Sequence, residues 1–266
     1  MKYDLFDTHA HYTDKRFETE HDGGAEDLLR ALFADEAGAI INVATDPDNA
    51  LEVIAQAKRH ERMYAAVGIH PTDCKSIPDI DEAISRIEEL IKNKEENKIV
   101  AIGEIGFDYY WEPYEKEKQY EYFYRQMCLA EKYSLLVVIH DREAHGDTFD
   151  MIMRFPNVRG ILHSCSASAE TVRQLCRTGN WYISFSGTVT FKNAAKVREA
   201  AAATPIDRIL SETDCPYLAP HPHRGKMNHS GLMRHTVATL AEIHGKTEDE
   251  MRRILYENAQ KVFNLA

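Results

Sequence analysis

Short apolar runs alternate with longer amphipathic segments along the whole chain. The apolar runs occupy residues 3–6, 39–44, 63–69, 99–102, 135–139, 158–162, 181–185 and 208–210. Each run is short enough for a strand, and the sequence between runs has helical periodicity. The pattern predicts eight strands, each followed by helical sequence.

The predicted helices lie between these runs and after the last one. Their bounds are residues 24–36, 47–60, 80–94, 115–133, 144–154, 167–177, 193–202, 229–243 and 247–263. Two carry clear start signals, because Asp46 precedes a first-turn proline and residues 247–250 read Thr-Glu-Asp-Glu, a capping box. Alternating strands and helices predict a parallel α/β sheet, which at about 250 residues closes most naturally into a (β/α)8 TIM barrel. An open doubly wound sheet is the alternative, but its glycine-rich first turn is missing.

Composition narrows the class of protein. The chain has 266 residues, of which 44% are hydrophobic and 28% charged, as in soluble globular proteins. No linker-like stretch interrupts it, so we expect a single domain over residues 1–266. Neither a membrane-length apolar segment of about 20 residues nor a signal-peptide layout is present. We therefore expect a cytoplasmic protein with no membrane partner, and we infer no obligate protein partner.

Charge and cysteine content exclude further classes. The formal net charge of -11 argues against a long basic groove for nucleic acid, although it leaves a phosphate-containing substrate open. Part of the acidity is compatible with carboxylates that bind divalent cations. The five cysteines form no Cys-x-x-Cys pair, so we expect free thiols rather than disulfides or a thiolate zinc site.

Histidines and carboxylates stand where five of the apolar runs end. His9 and His11 are two residues apart on the first predicted strand, so both side chains point the same way. Each histidine or carboxylate at the later strand ends, taken singly, has a simple explanation as a core histidine, a salt-bridge partner or an N-cap. Together they are hard to explain as packing, because buried charge is costly unless it is paired or binds a metal. The candidate ligands are His9, His11, Glu104, His140, His163 and Asp214.

Four histidines and two carboxylates suit two divalent cations of borderline hardness. We expect the two ions to be Mg²⁺, Mn²⁺ or Zn²⁺. Glu104 stands in the middle of the series and is the predicted bridging ligand. His70 ends the third strand and Arg142 follows His140 by two residues, so we predict that both contact substrate. Arg224 and Lys226 complete a small cationic rim for phosphate.

Five motifs at these positions carry a family resemblance. They are DTHAH (residues 7–11), GEIGFDYY (103–110), IHDR (139–142), ETDCPYLAP (212–220) and RGKMN (224–228). With them the whole chain resembles the TatD family of metal-dependent DNases, within the metal-dependent hydrolase superfamily of TIM barrels. The resemblance implies one metal ion on His9, His11, Glu104 and Asp214, and a second on Glu104, His140 and His163.

Two departures from the family pattern lie beside the candidate ligands. After His163 the family usually has a Phe-Ser-Gly-like run, where residues 164–167 read Ser-Cys-Ser-Ala. After Asn228 it usually has Glu-Pro, where this chain has His229 and Ser230. Because the ligands are unchanged, these differences bear on substrate preference more than on hydrolysis.

The resemblance implies exonucleolytic hydrolysis of DNA at a two-metal centre, with Asp214 and Glu104 as catalytic residues. A different enzyme class stays open, namely an amidohydrolase, esterase or phosphotriesterase acting on a small molecule, since such barrels share the first-strand His-x-His. Many of them carry a modified lysine at the bridging position, where this chain has Glu104. Ester hydrolysis on aminoacyl-tRNA is another alternative. A non-catalytic metal-binding scaffold predicts missing ligands, whereas all the expected ones are present.

Overall fold

The computed structural model describes residues 5–265, within which eight parallel strands form one sheet whose order follows the chain. Helices alternate with the strands, and this arrangement confirms the predicted (β/α)8 TIM barrel. The strands are β1 (Leu5–Ala10), β2 (Ala37–Val43), β3 (Met63–Val67), β4 (Ile99–Asp108), β5 (Leu136–Arg142), β6 (Gly160–Leu162), β7 (Trp181–Phe185) and β8 (Ile209–Ser211).

Nine of the described helices correspond to the nine predicted segments, with ends that differ by at most four residues. A further short helix, α1, was not predicted, because five residues carry too little periodicity. Among residues 5–265, no helix combines the length and apolar character that crossing a membrane requires. The helices are α1 (Arg16–Glu20), α2 (Gly24–Asp35), α3 (Pro47–Arg59), α4 (Ile80–Lys92), α5 (Lys116–Tyr133), α6 (His145–Met153), α7 (Ala169–Arg177), α8 (Ala195–Ala203), α9 (Met233–His244) and α10 (Glu248–Phe263).

Two strands, β1 and β4, continue four or more residues past the end of their apolar runs. Residues 3 and 4 of the first predicted strand lie outside the described residues, while β1 continues to Ala10 through pairing with β2. β4 continues to Asp108 because residues 105–108 pair in register with residues 139–142 of β5. In both strands polar side chains end the apolar run, but the backbone pairing with the neighbouring strand continues. The candidate ligands His9 and Glu104 lie in these continuations.

The predicted helix caps are present. The Asp46 side chain accepts hydrogen bonds from the backbone N–H groups of Asp48 and Asn49 at the start of α3. Thr247 and Glu250 form the reciprocal capping box of α10. These local signals could be read from sequence because each involves residues at most three positions apart.

The contacts divide the chain into two compact units. Unit 1 consists of residues 5–42, 164–177 and 182–265, and unit 2 of residues 43–163 and 178–181. In unit 1 the end of β1 pairs with the chain after β8: the Asp214 N–H donates to the His9 carbonyl (2.9 Å) and the His11 N–H to the Cys215 carbonyl (2.8 Å). The expectation of a single domain over residues 1–266 stays a prediction.

In unit 2, two glutamines of α5 bind the backbone at the ends of strands. Gln126 accepts from the Ile69 N–H (2.7 Å) and donates to the Ile69 carbonyl (3.2 Å). Gln119 does the same with the N–H (2.9 Å) and carbonyl (2.8 Å) of Asp108. Both side chains are buried, so the helix fixes the chain where β3 and β4 deliver functional residues.

Candidate metal centre

The first group of candidate ligands, the His9 group, consists of His9, His11 and Asp214 in unit 1. His9 and His11 lie two residues apart at the end of β1, and their Nε2 atoms are 3.0 Å apart. Asp214 Oδ1 lies 3.6 Å from His9 Nε2 and 3.4 Å from His11 Nε2. Three potential ligand atoms therefore converge on one point.

The donor set of the His9 group fits a divalent cation. Ligand atoms that each lie about 2.0–2.1 Å from one tetrahedral ion are separated by about 3.3 Å, close to the three distances found here. Two imidazole nitrogens at 3.0 Å both present lone pairs to each other unless one carries a hydrogen. A cation between them would satisfy both lone pairs and would neutralise the charge of Asp214.

A buried carboxylate, Asp7, supports this group from β1. Its Oδ1 accepts a hydrogen bond from the Thr213 N–H (2.9 Å), and its Oδ2 accepts from the hydroxyls of Thr213 (2.6 Å) and Ser230 (2.7 Å). Burial raises the pKa of Asp7 to about 6, against the opposing effect of these hydrogen bonds. Asp7 thereby ties β1 to the residue directly before Asp214.

The second group, the Glu104 group, consists of His70, Glu104, His140 and His163 in unit 2. Glu104 Oε1 lies 2.7 Å from His140 Nδ1, 2.7 Å from His163 Nε2 and 3.6 Å from His70 Nε2. Candidate ligand atoms of His70, Glu104 and His140 all lie within 4.8 Å of one another. Imidazole nitrogens around a carboxylate oxygen are the donors that zinc and similar ions prefer.

Close approach of two strands brings the Glu104 group together. Gly106 lies beside His140 in the ladder between β4 and β5. A Cβ at this position would overlap the His140 carbonyl oxygen. The φ of Gly106, 144°, also disfavours any other residue here. Glycine at position 106 therefore allows β4 to carry Glu104 past His140.

Asp108, which the sequence analysis missed, completes the surroundings of His140. Its Oδ2 lies 2.9 Å from His140 Nε2, so each ring nitrogen of His140 faces a carboxylate. Burial alone would lower the pKa of His140, but the charge of Glu104 and the hydrogen bonds to Asp108 and Glu104 raise it to about 9. The surroundings of His140 thus favour a positive charge at this place.

The remaining predicted site residues lie as follows. His70, predicted as a substrate contact, brings its Nε2 among the candidate ligand atoms of the Glu104 group. Arg142 is exposed at the end of β5. Arg224 and Lys226 are exposed in the loop between β8 and α9, outside the His9 group, and the Arg224 guanidinium lies 4.6 Å from the Phe191 ring centroid.

A second acidic residue missed from sequence is Glu212. It is fully buried in unit 1, and its Oε1 accepts a hydrogen bond of 2.7 Å from the Ser164 N–H. A glutamate directly after an apolar strand was the available signal, because it stands in the same position relative to β8 as the other candidate ligands do to their strands.

Comparison with known proteins decides the family. The model of the family described as TatD related DNase matches residues 6–264. The chain belongs to the TatD related DNase family. A relative from Bacillus subtilis, named an uncharacterized metal-dependent hydrolase, YabD, is 36% identical over 263 residues, which are 98% of this chain and 99% of the relative. A relative from Escherichia coli K12 with the same description, YcfH, is 32% identical over 98% of this chain and 96% of its own length.

Solved structures agree with this assignment of the TatD-family chain. The crystal structure of YJJV, a TatD homologue from Escherichia coli K12, superposes with a TM-score of 0.89 at 29% identity and covers 100% of both chains. The resemblance expected from the five motifs is therefore confirmed. The family is one of metal-dependent hydrolases, and the His9 and Glu104 groups supply the residues that divalent metal ions require.

Proposed function

We propose that this TatD-family protein hydrolyses phosphodiester bonds of DNA exonucleolytically and depends on divalent metal ions for that activity. The observation that supports the proposal best is the pair of histidine and carboxylate groups at strand ends, in a chain matched by the TatD related DNase family. Donor sets of this composition are typical of catalytic metal sites in hydrolases.

The residues present fit two ions. We assign His9, His11 and Asp214 to one ion, and His140 and His163 to the other, with Glu104 shared as predicted from sequence. When bound, divalent ions of this kind, Mg²⁺, Mn²⁺ or Zn²⁺, supply positive charge to phosphate oxygens and lower the pKa of water. His70 lies close enough to Glu104 to be a further ligand or to contact the substrate.

Asp214 is the proposed proton acceptor. Its side chain is 16% exposed, and its Oδ1 faces His9 and His11 at the end of β1. An ionised carboxylate in this place can hold a water molecule by hydrogen bonding and take its proton as the water attacks phosphorus. The bond from phosphorus to the leaving nucleoside oxygen breaks in the same reaction, and that oxygen takes up a proton from solvent. Arg142, Arg224 and Lys226 would bind the phosphate oxygens and orient the phosphodiester for that attack.

The test is hydrolysis of end-labelled single- and double-stranded DNA in the presence of EDTA, Mg²⁺, Mn²⁺ or Zn²⁺. Small carboxylic esters, phosphotriesters and an aminoacyl-tRNA are assayed beside the DNA. We expect metal-dependent release of nucleotides from one DNA end. Glu104→Gln should lower the rate by about 100-fold or more, because it removes the charge that the ions require. Glu199→Gln, which changes an exposed glutamate of α8, is the matched control.

The alternatives give different results in the same assay. Rapid metal-dependent hydrolysis of a small ester, phosphotriester or aminoacyl-tRNA without any cleavage of DNA would refute the nuclease proposal and favour one of those activities. Metal binding without hydrolysis of any substrate would favour a non-catalytic scaffold.

A further inference from the structure

Two large aromatic side chains directly after β4 are exposed. Tyr110 is 51% exposed and Trp111 is 55% exposed, whereas large apolar residues elsewhere in the chain are mostly buried. Their ring centroids lie 5.0 Å apart with an interplanar angle of 87°. Exposing this much aromatic surface is unfavourable in water, so such a pair marks a candidate contact surface for a ligand.

A guanidinium group covers part of this surface. The Arg142 Cζ lies 4.0 Å from the Tyr110 ring centroid and 5.4 Å from that of Trp111. The Tyr109 N–H donates to the Arg142 carbonyl (2.9 Å), which fixes the two chain segments side by side. Among residues 5–265 no carboxylate forms an ion pair with Arg142. A cation–π contact uses the flat face of the guanidinium, so its N–H donors remain available to an anion.

Asp108 connects these aromatic residues to the Glu104 group. Its Oδ1 accepts hydrogen bonds from the backbone N–H groups of Tyr110 (3.0 Å) and Trp111 (3.0 Å). Its Oδ2 lies 2.9 Å from His140 Nε2. One buried carboxylate therefore sets the turn that carries both rings and contacts a candidate metal ligand, which places the rings beside the proposed reaction site.

Trp111 also lines a small cleft. Thr72 and Tyr114 line it together with Trp111. The Thr72 hydroxyl lies 2.7 Å from His70 Nδ1, and His70 Nε2 lies 3.6 Å from Glu104 Oε1. Thr72 thus links the wall of this cleft to the Glu104 group.

We propose that Tyr110, Trp111 and Arg142 form a subsite for one nucleotide unit of the substrate, with the base against Trp111 and a phosphate on Arg142. An aromatic ring alone binds many apolar groups, and a guanidinium alone binds many anions. An aromatic ring and a guanidinium within about 5 Å of each other match a planar base that is linked to a phosphate. This inference rests on the proposed function and specifies how its substrate is held.

Binding can be measured without hydrolysis. The chain has two tryptophans, and only Trp111 is exposed, because Trp181 is 2% exposed. In EDTA, we expect dAMP to quench the fluorescence of Trp111 and to bind about ten-fold more tightly than deoxyribose 5-phosphate, which lacks the base. Trp111→Phe should abolish the quenching, and Trp111→Ala should weaken dAMP binding about ten-fold. Equal binding of the two ligands, or unchanged affinity in Trp111→Ala, would overturn the proposal.

Hydrolysis gives a second test, with a matched control. We expect Trp111→Ala to lower, by about ten-fold, the ratio of kcat/KM on normal DNA to kcat/KM on DNA with a base-free terminal residue. Arg142→Ala should lower kcat/KM on both substrates, because both carry the phosphate. Tyr120→Ala is the control for Trp111→Ala. Like Trp111, Tyr120 is an exposed aromatic residue (40%) beside an arginine, here Arg154, but it lies on α5.

The two proposals fail in different ways. Cleavage of DNA with an unchanged substrate ratio in Trp111→Ala would leave the nuclease function standing and refute the subsite. Base-dependent binding at Trp111 without cleavage of any phosphodiester would leave the subsite standing and refute the nuclease function.

Discussion

Replacing Asp7 by asparagine tests whether burial or hydrogen bonding controls the charge of this carboxylate. Asparagine keeps the size of the side chain and one oxygen, which can still accept from the Thr213 N–H. The hydroxyls of Thr213 and Ser230 can rotate to accept from the new amide group. The variant therefore imitates the protonated, uncharged form of Asp7.

The magnitude follows from the two pKa values. Burial raises the pKa of Asp7 from 3.8 to about 6 in the folded protein. The folded state then binds the proton more tightly than the unfolded state between these values. Stability from this proton is fully present below pH 3.8 and is lost as the pH rises through about 6. A difference of about two pH units corresponds to about 3 kcal/mol of unfolding free energy.

The assay is urea unfolding of the wild-type protein and Asp7→Asn between pH 4 and 8 in EDTA, which keeps metal ions off the candidate ligands. We expect the wild type to lose about 2.4 kcal/mol relative to the variant between pH 4 and 7, because part of the full effect is already lost at pH 4. Other titrating groups cancel in the difference between the two proteins. Asp150→Asn, an exposed aspartate of α6, should show the same small difference at every pH.

Two results would refute this account of Asp7. A stability difference that does not change with pH would mean that burial and hydrogen bonding cancel. A wild type that gains stability over the variant as the pH rises would mean that the hydrogen bonds to Thr213 and Ser230 outweigh burial.

Three further outcomes are expected. Asp214→Asn should keep its fold but lose about 100-fold or more in metal-dependent hydrolysis, the usual scale for a positioned base, and near wild-type turnover would exclude Asp214 from that role. Elemental analysis should find two divalent ions per wild-type chain and one in His140→Ala, whereas Arg142→Ala should keep both ions and lose turnover or substrate affinity; metal loss in Arg142→Ala would contradict its assignment as a substrate contact. Thr247→Ala should lower the unfolding free energy by about 1 kcal/mol in urea titrations, because it removes the N-cap of α10, and an unchanged midpoint would show that the capping box is dispensable.

Much of the fold could be predicted because the signals are local. Eight apolar runs correspond to eight strands, and nine periodic segments to nine helices. The extension of β4 to Asp108 could not be predicted, because Glu104 and two glycines interrupt the apolar pattern there. Pairing with β5 keeps these residues extended, and the partner strand is distant in sequence.

The candidate site shows the same division. His9, Glu104 and Asp214 could be identified because each stands within four residues of the end of an apolar run. Asp108 could not, because it stands six residues after the predicted end of its strand and meets His140 only through the β4–β5 register. The place of His70 within the Glu104 group likewise depends on the distance between the loop after β3 and strand β4, which no sequence pattern encodes.

The two glutamines of α5 have a consequence for which insertions and deletions the chain can tolerate. Gln119 and Gln126 are seven residues, or about 10.5 Å, apart along the helix, and nearly two full turns place them on one face. One residue added or removed between them would rotate one amide by about 100° away from its strand end. Length changes within residues 119–126 should therefore not be tolerated, because the helix there keeps the ends of two strands at a fixed spacing.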